Sequence, residues 1–170
     1  MSTTLEPWLR SPLPNIIDEL QPVASMFIAA KEDILKAVSA ITANTLWEKS
    51  GGAASIGFHI VHLAGATDRL LSYAEGAELT DEQKEELSQE READHLRPAL
   101  DYVVLQLAQS MDLAVRRLEG VTAEQLSTQR ELGRARVPTT MRSLIAHAGE
   151  HAARHAGQIV TTVKIVTTHV

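Results

Sequence analysis

The chain has 170 residues, 44% hydrophobic and 22% charged, a balance that suits one soluble domain with a real core and excludes a disordered chain. Its formal net charge of −6 argues against nucleic acid as a partner, because phosphate contacts need an excess of Lys and Arg. No apolar run approaches the roughly 20 residues that cross a bilayer, so no membrane partner is expected either.

The opening residues, MSTTLEPWLRSPLPN, lack the basic-then-apolar order of a signal peptide, and a cytoplasmic location is expected. Residues 1–21 read as an N-terminal arm and 22–170 as a single domain. The stretch PVASMFIAAKEDILKAVSAI (22–41) has helical periodicity, with Pro22 tolerated in the first turn. EKSGGAAS (48–55) breaks it. A second helix, SIGFHIVHLAGATDRLLSYAEG (55–76), ends near Gly76 as a C-terminal cap. Residues 80–94 are strongly acidic and begin with Thr80 and Gln83 at capping-box spacing; they read as a short solvated helix or connector.

Pro98 opens a third long helix that Gly120 closes, and Thr122 with Gln125 suggests a capped turn. STQRELGRARVP (127–138) reads as a loop. Pro138 and Thr139 introduce the last helix, which runs to about Val166. No stretch alternates with period two for long enough to be a convincing strand. The reading is all-α: a four-helix bundle with long connections after the second and third long helices.

The last helix carries LIAHAGEHAARHAGQI (144–159), with His147, His151 and His155 four residues apart. Positions four apart differ by about 40° around a helix, so the three form a ladder. His151 and His155 fall within or beside the apolar stripe of Leu144, Ala148, Ala152 and Ile159, while His147 sits toward the polar edge. The chain has no cysteine, so any metal must be held by nitrogen or oxygen. An i, i+4 imidazole pair can converge on one ion, but a third ligand must come from elsewhere. The second helix offers His59 and His62, and periodicity does not choose between them. The alternative is bland, since a lone histidine on an apolar face is usually a hydrogen-bonded core residue. A di-iron carboxylate site is excluded, because only Glu92 and His95 have Glu-x-x-His spacing.

SIGFHIVHLAGATDRLLSYAEG followed some ninety residues later by HAARHAGQI resembles the DinB-like (DinB/YfiT-like metalloenzyme) superfamily. Ser55, Ile56, Ile60, His62 and Leu63 match the pattern around the first histidine, and His151, His155, Gly157 and Gln158 match the second block. The resemblance covers about Pro22 to Val166. It implies a four-helix bundle, often dimeric, with His62, His151 and His155 as metal ligands, which selects His62 over His59. A common family form has His-His-Arg-Gly-Gln in the last block, whereas this chain has Arg154, His155, Ala156, Gly157 and Gln158.

Imidazole suits Zn, Ni, Fe or Cu, and the ligand type alone does not pick among them; Zn, Ni or Fe is expected. By resemblance, the expected function is a metal-dependent enzyme acting on a small molecule. It would be an S-transferase with a low-molecular-weight thiol as co-substrate, or a hydrolase. The alternative is a non-catalytic metal-binding or stress-linked interaction protein. Tyr73, Glu150 and His147 are candidate contributors near the site, and a homodimer is expected by resemblance. Ala146, Gly149, Ala153, Gly157 and Val160 form a small-residue strip on the last helix, suited to tight packing within the monomer or to a dimer contact.

Overall fold

The computed structural model describes residues 5–168. Four long helices dominate: α1 (Gln21–Val38), α3 (Ile56–Glu75), α6 (Leu100–Arg116) and α7 (Met141–Thr167). Between them lie the short α2 (Ala43–Leu46), α4 (Asp81–Arg91) and α5 (Ala93–Leu96). The helices form a square in which α7 packs on α3 and α1, and α6 packs on the same two from the opposite side. The all-α bundle read from the sequence is the observed fold.

Local chemistry sets the helix ends. Ser55 caps α3 by accepting the Phe58 N–H at 3.0 Å, and Thr140 caps α7 by accepting the Ser143 N–H at 3.2 Å. Gly76, at φ +84°, takes the left-handed conformation that closes α3 and is costly for a residue with a Cβ. The capping box of α4 is present, with Thr80 and Gln83 bonding each other's backbone N–H groups.

The core is continuous. Phe27 and Ile34 of α1, Ile60 and Leu63 of α3, Leu107 and Met111 of α6, and Ile145 and Ile159 of α7 are almost wholly enclosed. Each contributes about 1.5–3 kcal/mol by leaving water. Trp47 packs as core, its Nε1 donating to the Pro98 carbonyl at 3.2 Å, whereas Trp8 is exposed. Of the small-residue strip, Gly149 is buried against Val23 and Met26 of α1, while Ala146, Ala153 and Gly157 face outward.

Two details differ from the sequence reading. Residues 129–140 form a hairpin, β1 (Gln129–Leu132) paired antiparallel with β2 (Val137–Thr140), where a loop was expected. Four-residue strands are too short to show a period-two signal, and the hairpin turns through Gly133 and Arg136, both at positive φ. The acidic segment, expected to be solvated all round, is anchored to the bundle. Gln83 donates to Ser72 at 2.9 Å and to Asp68, and Glu90 is buried.

Candidate metal centre

His59 and His62 leave α3 on the side facing α7, and His151 and His155 answer from one turn to the next of α7. Nitrogens of His62, His151 and His155 all lie within 4.8 Å of one another. His62 Nε2 is 3.1 Å from His151 Nε2. Two nitrogens bound to a tetrahedral ion at 2.0–2.1 Å would lie about 3.3–3.4 Å apart, so this pair is already close to bridging distance. Phe58 stacks on the His62 ring with an interplanar angle of 3°, fixing the ring plane.

The orientation of His62 comes from outside the ladder. Its Nδ1 lies 2.6 Å from Glu90 Oε1, and the other carboxylate oxygen accepts from Arg69 Nη2 at 2.6 Å. Burial alone would raise the Glu90 carboxyl, but the hydrogen bonds from His62 and Arg69 outweigh it and hold the group below its ordinary range. An ionised carboxylate can only accept, so His62 donates to it through Nδ1–H, and in the neutral ring Nε2 is left with a free lone pair. A carboxylate behind a histidine in this way is the arrangement that orients metal-binding imidazoles.

His155 is supported similarly. Its Nδ1 lies 3.0 Å from His59 Nδ1, leaving Nε2 uncommitted. His59 is therefore neither part of the triad nor plain core filler; it is a buried partner of His155.

The two α7 donors, His151 and His155, are neutral at ordinary pH. Burial, reinforced by the neighbouring His62 and His147, pushes His151 down to about 4. Burial, His151 and His62 push His155 down to about 3. Neutral imidazoles keep the lone pairs that a cation needs. His151 Nδ1 is buried with no hydrogen-bond partner, a cost the cluster bears while holding its Nε2 beside that of His62. Three lone-pair nitrogens without a thiolate or carboxylate among them fit an imidazole-preferring divalent ion.

The remaining candidates lie outside the triad, His147 with its ring centroid 5.9 Å from that of His151. His147 is exposed, 3.0 Å from Glu150, which also pairs with Arg154 on the outer face of α7. Tyr73 lines a different cleft, against the hairpin. A cavity of about 560 Å³ between α3, α4 and α6 has Gly65, Arg69 and Glu90 in its wall and Val61, Tyr102 and Leu113 beside them. Glu90 thus borders both this cavity and the histidine cluster.

Sequence reasoning missed Glu90. The signal was present but faint: Leu87 is the one apolar residue between Thr80 and Glu92, and Gln83 and Glu90 share its helical face at i−4 and i+3.

A helical bundle with three histidines gathered on two adjacent helices defines a class of candidate metal-binding proteins. The chain belongs to the DinB superfamily, whose family model matches residues 26–159. It is similar in fold to a conserved protein of Enterococcus faecalis, with a TM-score of 0.72 and 18% identity over 88% of this chain and 97% of that one. It is also similar, at a TM-score of 0.57 and 12% identity, to the colibactin self-resistance protein ClbS, solved in complex with double-stranded DNA. That likeness covers 86% of this chain and 95% of the other. No curated protein sequence matches.

The ClbS complex corrects one expectation. Net charge was read as arguing against a nucleic-acid partner, and none was expected, yet a protein of this fold is seen with duplex DNA. Net charge sums over the whole surface, whereas a phosphate backbone meets one face, so −6 overall does not exclude that partner. Among the described residues, no helix is long and apolar enough to cross a membrane.

Proposed function

We propose that His62, His151 and His155 are the ligands of one divalent transition-metal ion, Zn, Ni or Fe, and that the protein is a metal-dependent enzyme acting on a small molecule. The observation that carries this is the convergence of three imidazoles, one of them oriented by a buried carboxylate. A bound ion would supply a Lewis-acid centre able to activate an oxygen or sulfur nucleophile. Glu90 holds the His62 proton on Nδ1, His59 steadies His155, and Phe58 keeps the His62 plane. With no cysteine in the chain, an S-transferase reaction would draw its thiol from a low-molecular-weight co-substrate; a hydrolase would use water.

The test is conjugation of a panel of electrophiles with small thiols, and hydrolysis of ester and amide panels, with and without added Zn, Ni or Fe. Metal-dependent turnover that disappears in a His62→Ala/His151→Ala variant supports the enzyme. The second reading, metal binding without catalysis, has one observation in its favour: neither large cleft is lined by a triad residue. It holds if the metal binds and activity never exceeds that of the double variant.

A further inference from the structure

The cleft between α4 and the β1–β2 hairpin, which shares no lining residue with the histidine cluster, gathers positive charge on an acidic protein. Its walls hold Lys84, Arg91, Arg130, Arg134 and Arg136, against Glu78 and Glu131 alone among acids. Its volume is about 1130 Å³.

The segregation is sharpest on α4. That helix carries Asp81, Glu82, Glu85, Glu86 and Glu90, and its only two basic residues are Lys84 and Arg91. These sit seven apart, on one face, with Leu87 and Ser88 between them, and that face lines the cleft. The hairpin answers with three arginines in the ten residues from Gln129 to Pro138, with Glu131 the one acid there.

Some of this charge is compensated and some is not. Lys84 pairs with Asp81, and Arg136 with Glu131. Arg130 uses two of its N–H groups on backbone carbonyls, Nε on Ala74 at 2.6 Å and Nη1 on Gln129 at 3.0 Å, so it is pinned in place without a carboxylate and keeps its remaining donors. Among the described residues, Arg91 and Arg134 have no acidic partner, and Arg134 stands near enough to Lys84 for the two charges to repel. Two basic faces turned toward each other raise the energy of the empty cleft and lower that of an anion between them.

The geometry points to a phosphate-binding cleft here, separate from the histidine cluster, with Arg91, Arg130 and Arg134 as its principal contacts. Guanidinium groups suit phosphate oxygens because their paired N–H donors match them in spacing. The phosphates can come from a nucleic-acid backbone or from a free polyphosphate, and the experiment separates these.

Fluorescence anisotropy with a labelled 20-base-pair DNA duplex, and calorimetry with inorganic tripolyphosphate, are run at 50 and 200 mM NaCl. The proteins are wild type, Arg91→Glu/Arg134→Glu, and a control with the same charge change on exposed residues at the far ends of α1 and α7, Lys36→Glu/Lys164→Glu. Thermal melting of each variant confirms that it is folded. The expected result is binding of at least one probe, lost tenfold or more in the cleft variant and retained in the control. If the duplex is the ligand, two to three neutralised phosphates make its affinity fall about 10- to 40-fold between the two salt concentrations. Binding of the duplex alone assigns the cleft to a polymer backbone, and binding of tripolyphosphate assigns it to free phosphates. No binding of either probe at 50 mM salt overturns the assignment. So does equal loss in both variants, which is a net-charge effect, or no loss in the cleft variant.

Discussion

Replacing Glu90 by Gln tests the support of the proposed metal centre with little change of shape. In the native site one carboxylate oxygen takes the His62 Nδ1 proton at 2.6 Å and the other takes Arg69 at 2.6 Å. A Gln amide has one acceptor for two donors. If its oxygen faces His62, its NH2 confronts the Arg69 guanidinium; if its oxygen faces Arg69, its NH2 must donate to Nδ1. The second arrangement moves the His62 proton to Nε2 and blocks the nitrogen that would bind the ion. Either way the loss is that of an outer carboxylate behind a ligand histidine, about 10- to 100-fold in metal affinity, or about 1.4–2.7 kcal/mol. The apoprotein should also lose stability, because Arg69 is left buried without a counter-charge, at a cost of about 3 kcal/mol. Affinity is read by competition with a chromophoric Zn chelator, and stability by urea unfolding of the apoprotein. Nitrogen-15 NMR of His62 should show the Nδ1-protonated tautomer in wild type and its loss or mixing in Glu90→Gln. A variant with wild-type affinity and an unchanged His62 tautomer would refute the reasoning.

Removing the exposed His147 by substitution to Ala should leave Zn affinity within about threefold, whereas His155→Ala should abolish tight binding, both by the same chelator assay. His151 and His155 resist protonation in the folded chain, to about 4 and about 3, while in the unfolded chain they accept protons near 6.5. The unfolded state therefore binds more protons between those values, so apoprotein stability should fall as pH drops from 6.5 toward 4. Urea midpoints across that range check this, and in a His151→Ala/His155→Ala variant the slope should flatten. A Cβ added to Gly57 would lie 2.6 Å from the Trp47 ring, so Gly57→Ala should cost about 1–3 kcal/mol and alter tryptophan fluorescence. Light scattering on a sizing column should give about twice 18.5 kDa if the expected dimer forms, and a monomer mass would remove it.

Much of the fold was readable because each long helix carries a full apolar stripe and its own punctuation. Gly76 was readable as the cap that closes α3, and Pro138 with Thr139 marked the start of α7 to within a residue of its Thr140 cap. The ladder of His151 and His155 was legible for the same reason: both proposed ligands lie on one helix, where spacing is geometry. The choice between His59 and His62 was not, because three residues place both near the same face, and only the packing of α3 on α7 and the reach of Glu90 separate them. Glu90 itself was hidden among acids that point to solvent. The partner that gives it meaning, Arg69, is twenty-one residues away. The hairpin was invisible because its strands are short and its pairing is a tertiary fact. With it went the basic cleft, whose two walls come from segments that share no local pattern.

The central claim is that three imidazoles from α3 and α7 hold one ion. X-ray absorption spectroscopy on protein loaded with one equivalent of Zn tests it most directly. The account predicts a shell containing three imidazole nitrogens at about 2.0–2.1 Å, lost in the His62→Ala/His151→Ala variant. A Zn shell made mainly of oxygens, or one unchanged by that double substitution, would contradict it.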